Sequence, residues 1–285
     1  MEKPPIIKTL SGADKLEHLV KHLAPVSVFF ALFFAQESAV EFSTKYIAPG
    51  LSKTGCAIVG VFESRKLSPP AAVLDRVTQG ALTKVVKSGD MEGRAGSTLL
   101  LHGVAHAACE RVLLVGLGAE KSFDEKAFRN AVAAALRAVS ATGAADAELH
   151  LTALAAGQSD IAWRVTQAAA LAIESAYRFE QMKSKREKPP AALKRLVLAY
   201  AHTSERKAAE RGLVQGVALG DGMSFAKDLG NLPGNVCTPT YLARQARELA
   251  KRYKLKVKVL ERTDMKSSAW ARYCRWRAAA PNHRN

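Results

Sequence analysis

The chain has 285 residues, of which 48% are hydrophobic, and a formal net charge of +16. These values exclude a chain too short or too polar to bury a core, and they fit a soluble protein of one large or two small domains. The four cysteines show no pairing or metal-ligand spacing, so we expect reduced thiols in a cytoplasm; they are Cys56, Cys109, Cys237 and Cys274.

Residues 1–39 have two interpretations. The apolar run Pro25–Ala35 follows two lysines, as in a secretory signal, but it is too short to span a bilayer. Asp14 and Glu17 precede the run and argue against a signal. The alternative, which we favour, is an extension produced by a mistaken start upstream of Val40.

Strand-like and helix-like segments alternate from residue 55 onward. The strand candidates are Gly55–Glu63, Thr98–Val104, Arg111–Gly116, Glu148–Leu154 and Arg195–Tyr200. The helix candidates are Ala71–Val86, Asp124–Thr142, Ile161–Met182 and Ser204–Leu229. This alternation predicts an α/β fold, with a parallel or mixed sheet covered by helices on its faces.

Isolated candidate residues do not combine into a site. His102 and His106 flank a strand end, where a surface or core histidine is expected. The sequence at Gly116 and Gly118 lacks the third glycine of a dinucleotide-binding loop, so we interpret these two glycines as part of a strand-to-helix turn. A pair of histidines, His18 and His22, follows Glu17. Asp228 and Asp264 are lone carboxylates. The sequence therefore predicts no catalytic, cofactor-binding or metal-binding residue in this chain.

The segment Lys227–Ala243 is the most informative part of the sequence. A turn cluster that includes Pro233 and Gly234 ends a helical run. Thr238 followed by Pro239 predicts an N-cap and the first residue of a new helix. That helix should extend to Tyr253, and alternating valines predict a strand at Lys256–Leu260.

The segment resembles the passage from the N-terminal domain to the catalytic domain in the leucine aminopeptidases, the cytosol aminopeptidase or peptidase A family. Sequence similar to this family covers about residues 41 to 265. The other segments that resemble it begin at Glu41, Cys56, Leu67, Asp90 and Arg111.

The resemblance implies a domain order. Residues 40–203 would form a macro-domain-like sandwich of a mixed sheet between helices, residues 204–230 a connector helix, and residues 231–265 the first elements of an α/β catalytic domain. It also implies removal of N-terminal amino acids, preferably leucine, from peptides by a cytoplasmic homohexamer with two divalent metals, Mn²⁺ or Zn²⁺. The family's ligands lie in the catalytic domain beyond this sequence, so we expect this chain to bind no metal, to lack activity and to lose the hexamer.

Residues 266–285 do not continue the resemblance. With suitable synonymous codons, a shift of one nucleotide converts Ser267–Asn285 into sequence similar to the aminopeptidases. We therefore interpret the segment as a frameshifted tail of a truncated enzyme, with a genuine basic tail as the rival interpretation.

The net charge suggests an alternative function. The tail from Lys266 contributes five basic residues and no acid, and residues 1–39 contribute no net charge, so about eleven positive charges remain. Since the bacterial family is known for DNA binding as well as peptide cleavage, the alternative is a non-enzymatic module that binds duplex DNA through its basic N-terminal domain. No membrane partner is expected.

The implied domain order also gives an expectation about stability. Residues 41 to about 203 should fold independently, with a protease-resistant core that ends near Ser204. The connector helix should expose an apolar stripe that normally packs on the catalytic domain; its members are Leu213, Val217, Phe225 and Leu229.

Overall fold

The computed structural model describes residues 40–183, 193–261 and 263–264, which fall into two units divided after Asn231. The predictions on residues 1–39, including Glu17, His18 and His22, lie outside the described residues, as do Cys274 and the rest of residues 266–285. Within the described ranges, no helix is long and apolar enough to cross a bilayer.

The first unit is built on a seven-stranded mixed sheet. Its strands are β1 (Glu41–Tyr46), β2 (Cys56–Phe62), β3 (Lys66–Leu67), β4 (Thr98–His102), β5 (Arg111–Gly118), β6 (Asp146–Leu149) and β7 (Arg195–Tyr200). The order is β1-β7-β6-β2-β5-β4, with the short β3 paired to β2. The strand pairs β1–β7, β7–β6, β6–β2 and β2–β5 are parallel. β4 pairs antiparallel with β5, and β3 pairs antiparallel with β2. The predicted mixed α/β sheet is confirmed.

Helices connect the parallel strands. The first unit contains α1 (Pro69–Val77), α2 (Ala81–Ser88), α3 (Glu125–Ser140), α4 (Ile161–Ala176) and α5 (Arg206–Asn231), and the second contains α6 (Pro239–Tyr253). Side-chain caps fix several helix starts. Asp124 accepts from the Ala127 N–H at 2.8 Å, and Asp160 accepts from the Trp163 N–H at 2.7 Å.

Two hydrophobic clusters lie on opposite faces of the sheet. Alternate residues of the central strand β2 contribute to each, because successive side chains of a strand point to opposite faces. Cys56 and Ile58 pack with α3, α4 and α5, whereas Val59 packs with α1 and α2. Cys109 belongs to the second cluster, so these two buried thiols lie in different layers.

Helix α5 packs on α4 along a stripe of glycines. A Cβ at Gly212 would stand 2.3 Å from the Ala162 carbonyl oxygen, and one at Gly216 would stand 2.5 Å from the Thr166 carbonyl oxygen. Thr166 also donates from its hydroxyl to the Gly212 carbonyl, at 3.0 Å. The helices approach closely because the stripe has no side chains.

The predicted exposure of the α5 stripe is therefore wrong in its first half. Leu213 and Val217 are buried in the cluster with α3 and α4, at 2% and 5% exposure. Phe225 and Leu229 are half-buried. Consequently α5 packs as part of the first unit up to Asn231.

Three further segments differ from the sequence predictions. Strand β1 was not predicted, although Phe42 is buried and pairs with Leu196 of β7. The predicted helix Ala71–Val86 is two helices, since Gln79 and Gly80 adopt positive φ angles of 53° and 81°. The predicted strand Glu148–Leu154 turns into a 3-10 helix at His150.

The second unit contains α6 and the extended residues after it. Thr238 caps the helix by accepting from the Tyr241 N–H at 3.3 Å, and Pro239 is its first residue, as predicted. The predicted strand Lys256–Leu260 is wrong: no strand occurs in the described residues of this unit. A strand needs a neighbour to bind its backbone groups, and none is present among them.

Candidate functional site

The first residues of the segment Lys227–Ala243 hold the end of α5 against the end of α4. Tyr177 donates from its hydroxyl to Asp228 at 2.8 Å and accepts from the Asn231 side chain at 3.1 Å. Lys227 pairs with Glu174 at 2.8 Å and lies over the Tyr177 ring, 5.4 Å from its centre. Partial burial and the bond to Asp228 raise the pKa of Tyr177. Asp228, a lone carboxylate in the sequence, therefore has a structural partner.

A buried acid and a buried imidazole lie at the end of β6. Glu148 and His150 are 4% and 1% exposed, and the Glu148 Oε2 atom is 3.4 Å from the His150 Nε2 atom, without hydrogen-bond geometry. Ser52 donates to the other carboxylate oxygen of Glu148. Because Ser52 donates to a carboxyl group that is buried in the sheet, this contact holds the loop at Ser52 against the sheet.

Asp221 is the other buried carboxylate of interest. It lies on α5, is 6% exposed, and has no hydrogen bond or ion pair within the described part of the chain. Burial raises its pKa to about 7. The residue can therefore take up a proton near neutral pH.

Arg164 anchors the start of α4 from within the core. It is 6% exposed and donates to the carbonyl oxygens of Thr152 at 2.9 Å and Ser159 at 2.7 Å. Glu205, just before α5, lies 3.8 Å from its guanidinium. Desolvation lowers the pKa of Arg164, and the nearby carboxylates oppose this effect. Sequence reasoning missed this residue because a lone arginine in a helical pattern resembles a solvated surface position.

The histidines and glycines singled out by the sequence have structural explanations. His102 and His106 are exposed. Gly116 and Gly118 lie within β5, not in a turn after it. A Cβ at Gly116 would stand 1.9 Å from the Arg94 carbonyl oxygen, and Gly118 donates to the Gly93 carbonyl at 2.9 Å. The glycines thus permit the close approach of residues 93–97.

The described residues contain no group of three or more His, Cys, Asp or Glu side chains that could hold a metal ion. Asp264 is exposed and accepts from the Glu261 N–H at 2.9 Å. Burial raises the pKa of the Cys56 thiol to about 12 and also raises that of Cys109. Among the polar side chains in the described part of the chain, several bind other segments of the fold: Arg164, Glu148 and Asp228.

Taken together, the mixed sheet between two helical layers and the structural use of its polar groups define an α/β sandwich domain. Residues 58–186 match the model of the cytosol aminopeptidase family, N-terminal domain. Among curated relatives, the probable cytosol aminopeptidase of Dechloromonas aromatica is 47% identical, over 79% of this chain and 45% of the relative. That of Alkalilimnicola ehrlichii is 50% identical, over 74% of this chain and 43% of the relative.

Solved structures share the fold. A mutant of tomato leucine aminopeptidase has a TM-score of 0.62 at 21% identity and covers 79% of this chain and 45% of its own. The bottromycin maturation enzyme BotP has a TM-score of 0.52 at 24% identity, covering 75% and 41%. The chain belongs to the cytosol (leucine) aminopeptidase family, of which it represents the N-terminal portion. It spans less than half the length of these curated relatives.

Proposed function

We propose that this chain forms the N-terminal, non-catalytic domain of a leucyl aminopeptidase. The intact enzyme would remove N-terminal amino acids, preferably leucine, from peptides in the cytoplasm. The observation that carries the proposal is the family match across the sheet and helices of the first unit, together with the structural roles of its polar side chains.

The proposed intact enzyme would use two divalent metal ions, Mn²⁺ or Zn²⁺. The described residues do not fit such a pair, because their His, Cys, Asp and Glu side chains form no group that could hold even one ion. We therefore assign no metal ligand and no chemical step to them. The domain would contribute stability and assembly, with the ligands supplied by a catalytic domain.

Two proteins test this proposal. The 285-residue polypeptide, supplied with Mn²⁺ or Zn²⁺, should show no turnover of leucine p-nitroanilide. A chimera in which residues 40–231 of this chain replace the corresponding residues of the Dechloromonas aromatica relative, with the rest of the relative kept, should be active. Turnover by the polypeptide at a rate near that of the relative would contradict the non-catalytic role, and a folded but inactive chimera would contradict the domain assignment.

Assembly is part of the same proposal. The intact enzyme would be a homohexamer centred on its catalytic domains, and the 285-residue polypeptide by itself should not form it. Light scattering of the polypeptide and of the chimera distinguishes the two, since only the chimera is expected to have the mass of a hexamer.

Binding to duplex DNA is the second candidate function. The sequence assigned this binding to the basic N-terminal domain. The second unit also favours an anionic partner, because its described residues expose several basic side chains: Arg244, Arg247, Lys251, Lys254, Lys256 and Lys258. The acidic side chains of the same segment are Glu248, Glu261 and Asp264. Binding of this origin weakens steeply with salt, because lysines and arginines displace counterions from the phosphates. An anisotropy titration that detects no binding at low salt would eliminate this function.

A further inference from the structure

The outer edge of β4 is the most distinctive surface of the first unit. β4 is the last strand of the sheet on one side, and its only strand partner in the described part of the chain is β5. Its middle residues are half-buried leucines, and its ends, Thr98 and His102, are exposed.

The ladder with β5 determines which backbone groups of β4 are free. Gly103 donates to the Glu110 carbonyl at 3.2 Å, and Gly116 donates to the Ser97 carbonyl at 2.8 Å. Hydrogen-bonded pairs alternate along an antiparallel ladder, so Leu99 and Leu101 also direct their backbone groups toward β5. The N–H and C=O groups of Thr98, Leu100 and His102 consequently point away from the sheet.

β4 lacks the features that normally protect an exposed edge. Residues 98–102 contain no charged residue and no proline, and the strand has no bulge in its register with β5. The opposite edge of the sheet, β1, carries Glu41 and Lys45. Within the described residues, protection is therefore present at the β1 edge of the sheet and absent from the β4 edge.

The sequence of β4 is complementary to itself. In an antiparallel pair of two copies centred on Leu100, Thr98 faces His102 of the second copy and Leu100 faces its own equivalent. This register satisfies every outward N–H and C=O group of both strands. It also places Leu99 against Leu101 of the second copy, which continues the apolar row that packs on the cluster under α1 and α2.

We propose that β4 binds β4 of a second copy of this chain, forming a two-fold symmetric dimer with one continuous sheet. A two-fold axis requires the same surface on both partners, and β4 offers matching groups on each side of Leu100. The proposal goes beyond the aminopeptidase function and does not depend on it, because it rests on the edge of the sheet alone.

Charge placement provides the first test, with the full 285-residue chain and its dimer dissociation constant measured by analytical ultracentrifugation. In Thr98→Lys/His102→Lys, the lysine introduced at position 98 of each copy faces the lysine introduced at position 102 of the other copy, so the dimer contains two like-charged pairs. The dissociation constant should rise about tenfold or more, because like charges directly opposite destabilise a strand pair. The matched control Thr98→Lys/His102→Glu carries opposite charges at the same exposed positions, and its dissociation constant should be equal to or lower than that of the parent.

A cross-linking measurement checks the register. Paired equivalents of Leu100 would have Cα atoms about 5.5 Å apart, within disulfide range, so Leu100→Cys should form a covalent dimer on mild oxidation. The control Leu99→Cys faces position 101 and should not. A monomeric parent chain at tens of micromolar, or equal behaviour of the two charge variants, would overturn the proposal. Efficient cross-linking of Leu99→Cys instead of Leu100→Cys would overturn the register.

Discussion

Gly216 of α5 lies against Thr166 of α4 so closely that a Cβ at position 216 would stand 2.5 Å from the Thr166 carbonyl oxygen and 2.7 Å from the Ala169 side chain. A Cβ added at Gly222 of the same helix would have no neighbouring atom of another segment within 4 Å among the described residues. Two glycines in one helix thus have different reasons to be present: one permits close packing, whereas the other has no packing role.

This difference predicts opposite effects of the same substitution. Gly216→Ala should lower the free energy of unfolding by about 1–3 kcal/mol, because the added methyl group forces the helices apart. Gly222→Ala should raise it by roughly 0.5–1 kcal/mol, because alanine loses less backbone entropy in a helix. Urea unfolding of both variants is the measurement. Equal stability of the two variants would mean that α4 and α5 do not pack as described.

Limited proteolysis should leave a resistant fragment that ends near Asn231. Leu213 and Val217 are part of the core, so cleavage near Ser204 would remove buried side chains from the first unit. A fragment that stops at residue 203 should therefore be unfolded, whereas one that ends at residue 231 should be folded. Circular dichroism of the two fragments compares them directly, and a stable fragment ending at residue 203 would contradict this assignment.

The buried pair of Glu148 and His150 predicts a strongly non-additive result. His150→Leu removes the imidazole next to the buried carboxyl group of Glu148, and among the described residues only Ser52 then binds that group. The variant should lose about 1–3 kcal/mol of stability, the cost of a buried polar group left without a partner. Adding Glu148→Met should restore part of that loss, because replacing both partners by apolar side chains removes the buried polar group that was left without a partner.

Urea unfolding of the single and double variants is the appropriate measurement. His102→Ala at an exposed position serves as a control and should change stability by less than about 0.5 kcal/mol. A double variant less stable than His150→Leu by itself would mean that the carboxylate stabilises the fold without the imidazole.

Asp221 predicts a pH dependence of stability. Burial raises its pKa from 3.8 to about 7, so between these values the folded state keeps a proton that the unfolded state releases. Stability should therefore fall as the pH rises from about 4 to 7 and should be lowest above 7. Asp221→Asn should remove this fall and stabilise the protein at pH 8 by up to a few kcal/mol, since one pKa unit corresponds to about 1.4 kcal/mol.

Chemical unfolding at pH 5 and pH 8 measures this effect. The exposed Asp90→Asn is the control, and it should leave the difference between the two pH values unchanged. If the parent and Asp221→Asn show the same difference, Asp221 is ionised in the folded protein throughout this range.

Local patterns allowed much of the fold to be predicted from the sequence. β7 begins and ends at the predicted residues, and α6 begins at the predicted proline because its capping signals are local. β1 was not predicted, since its strand partner among the described residues is β7, about 150 residues further along the chain. A long-range parallel pairing leaves no turn signal in the sequence.

The structural role of α5 could not be read from its sequence for a related reason. Hydrophobic spacing identified Leu213 and Val217 as one stripe, but it did not say which element would cover that stripe. The glycines at 212, 216 and 220 were the available signal, because small residues at a spacing of four mark a helix that another helix approaches closely. The pairing of Asp228 with Tyr177 likewise depends on residues 51 positions apart.

The separation of Cys56 and Cys109 into different layers gives the protein two internal reporters of unfolding. Each thiol is buried and has a raised pKa, so neither should react with an alkylating reagent until its own layer opens. Of the three cysteines in the described residues, Cys237 is only partly buried and should be modified first. Mass spectrometry of the alkylated protein over time would then show whether the layer of α3, α4 and α5 opens together with the layer of α1 and α2, without any engineered cysteine.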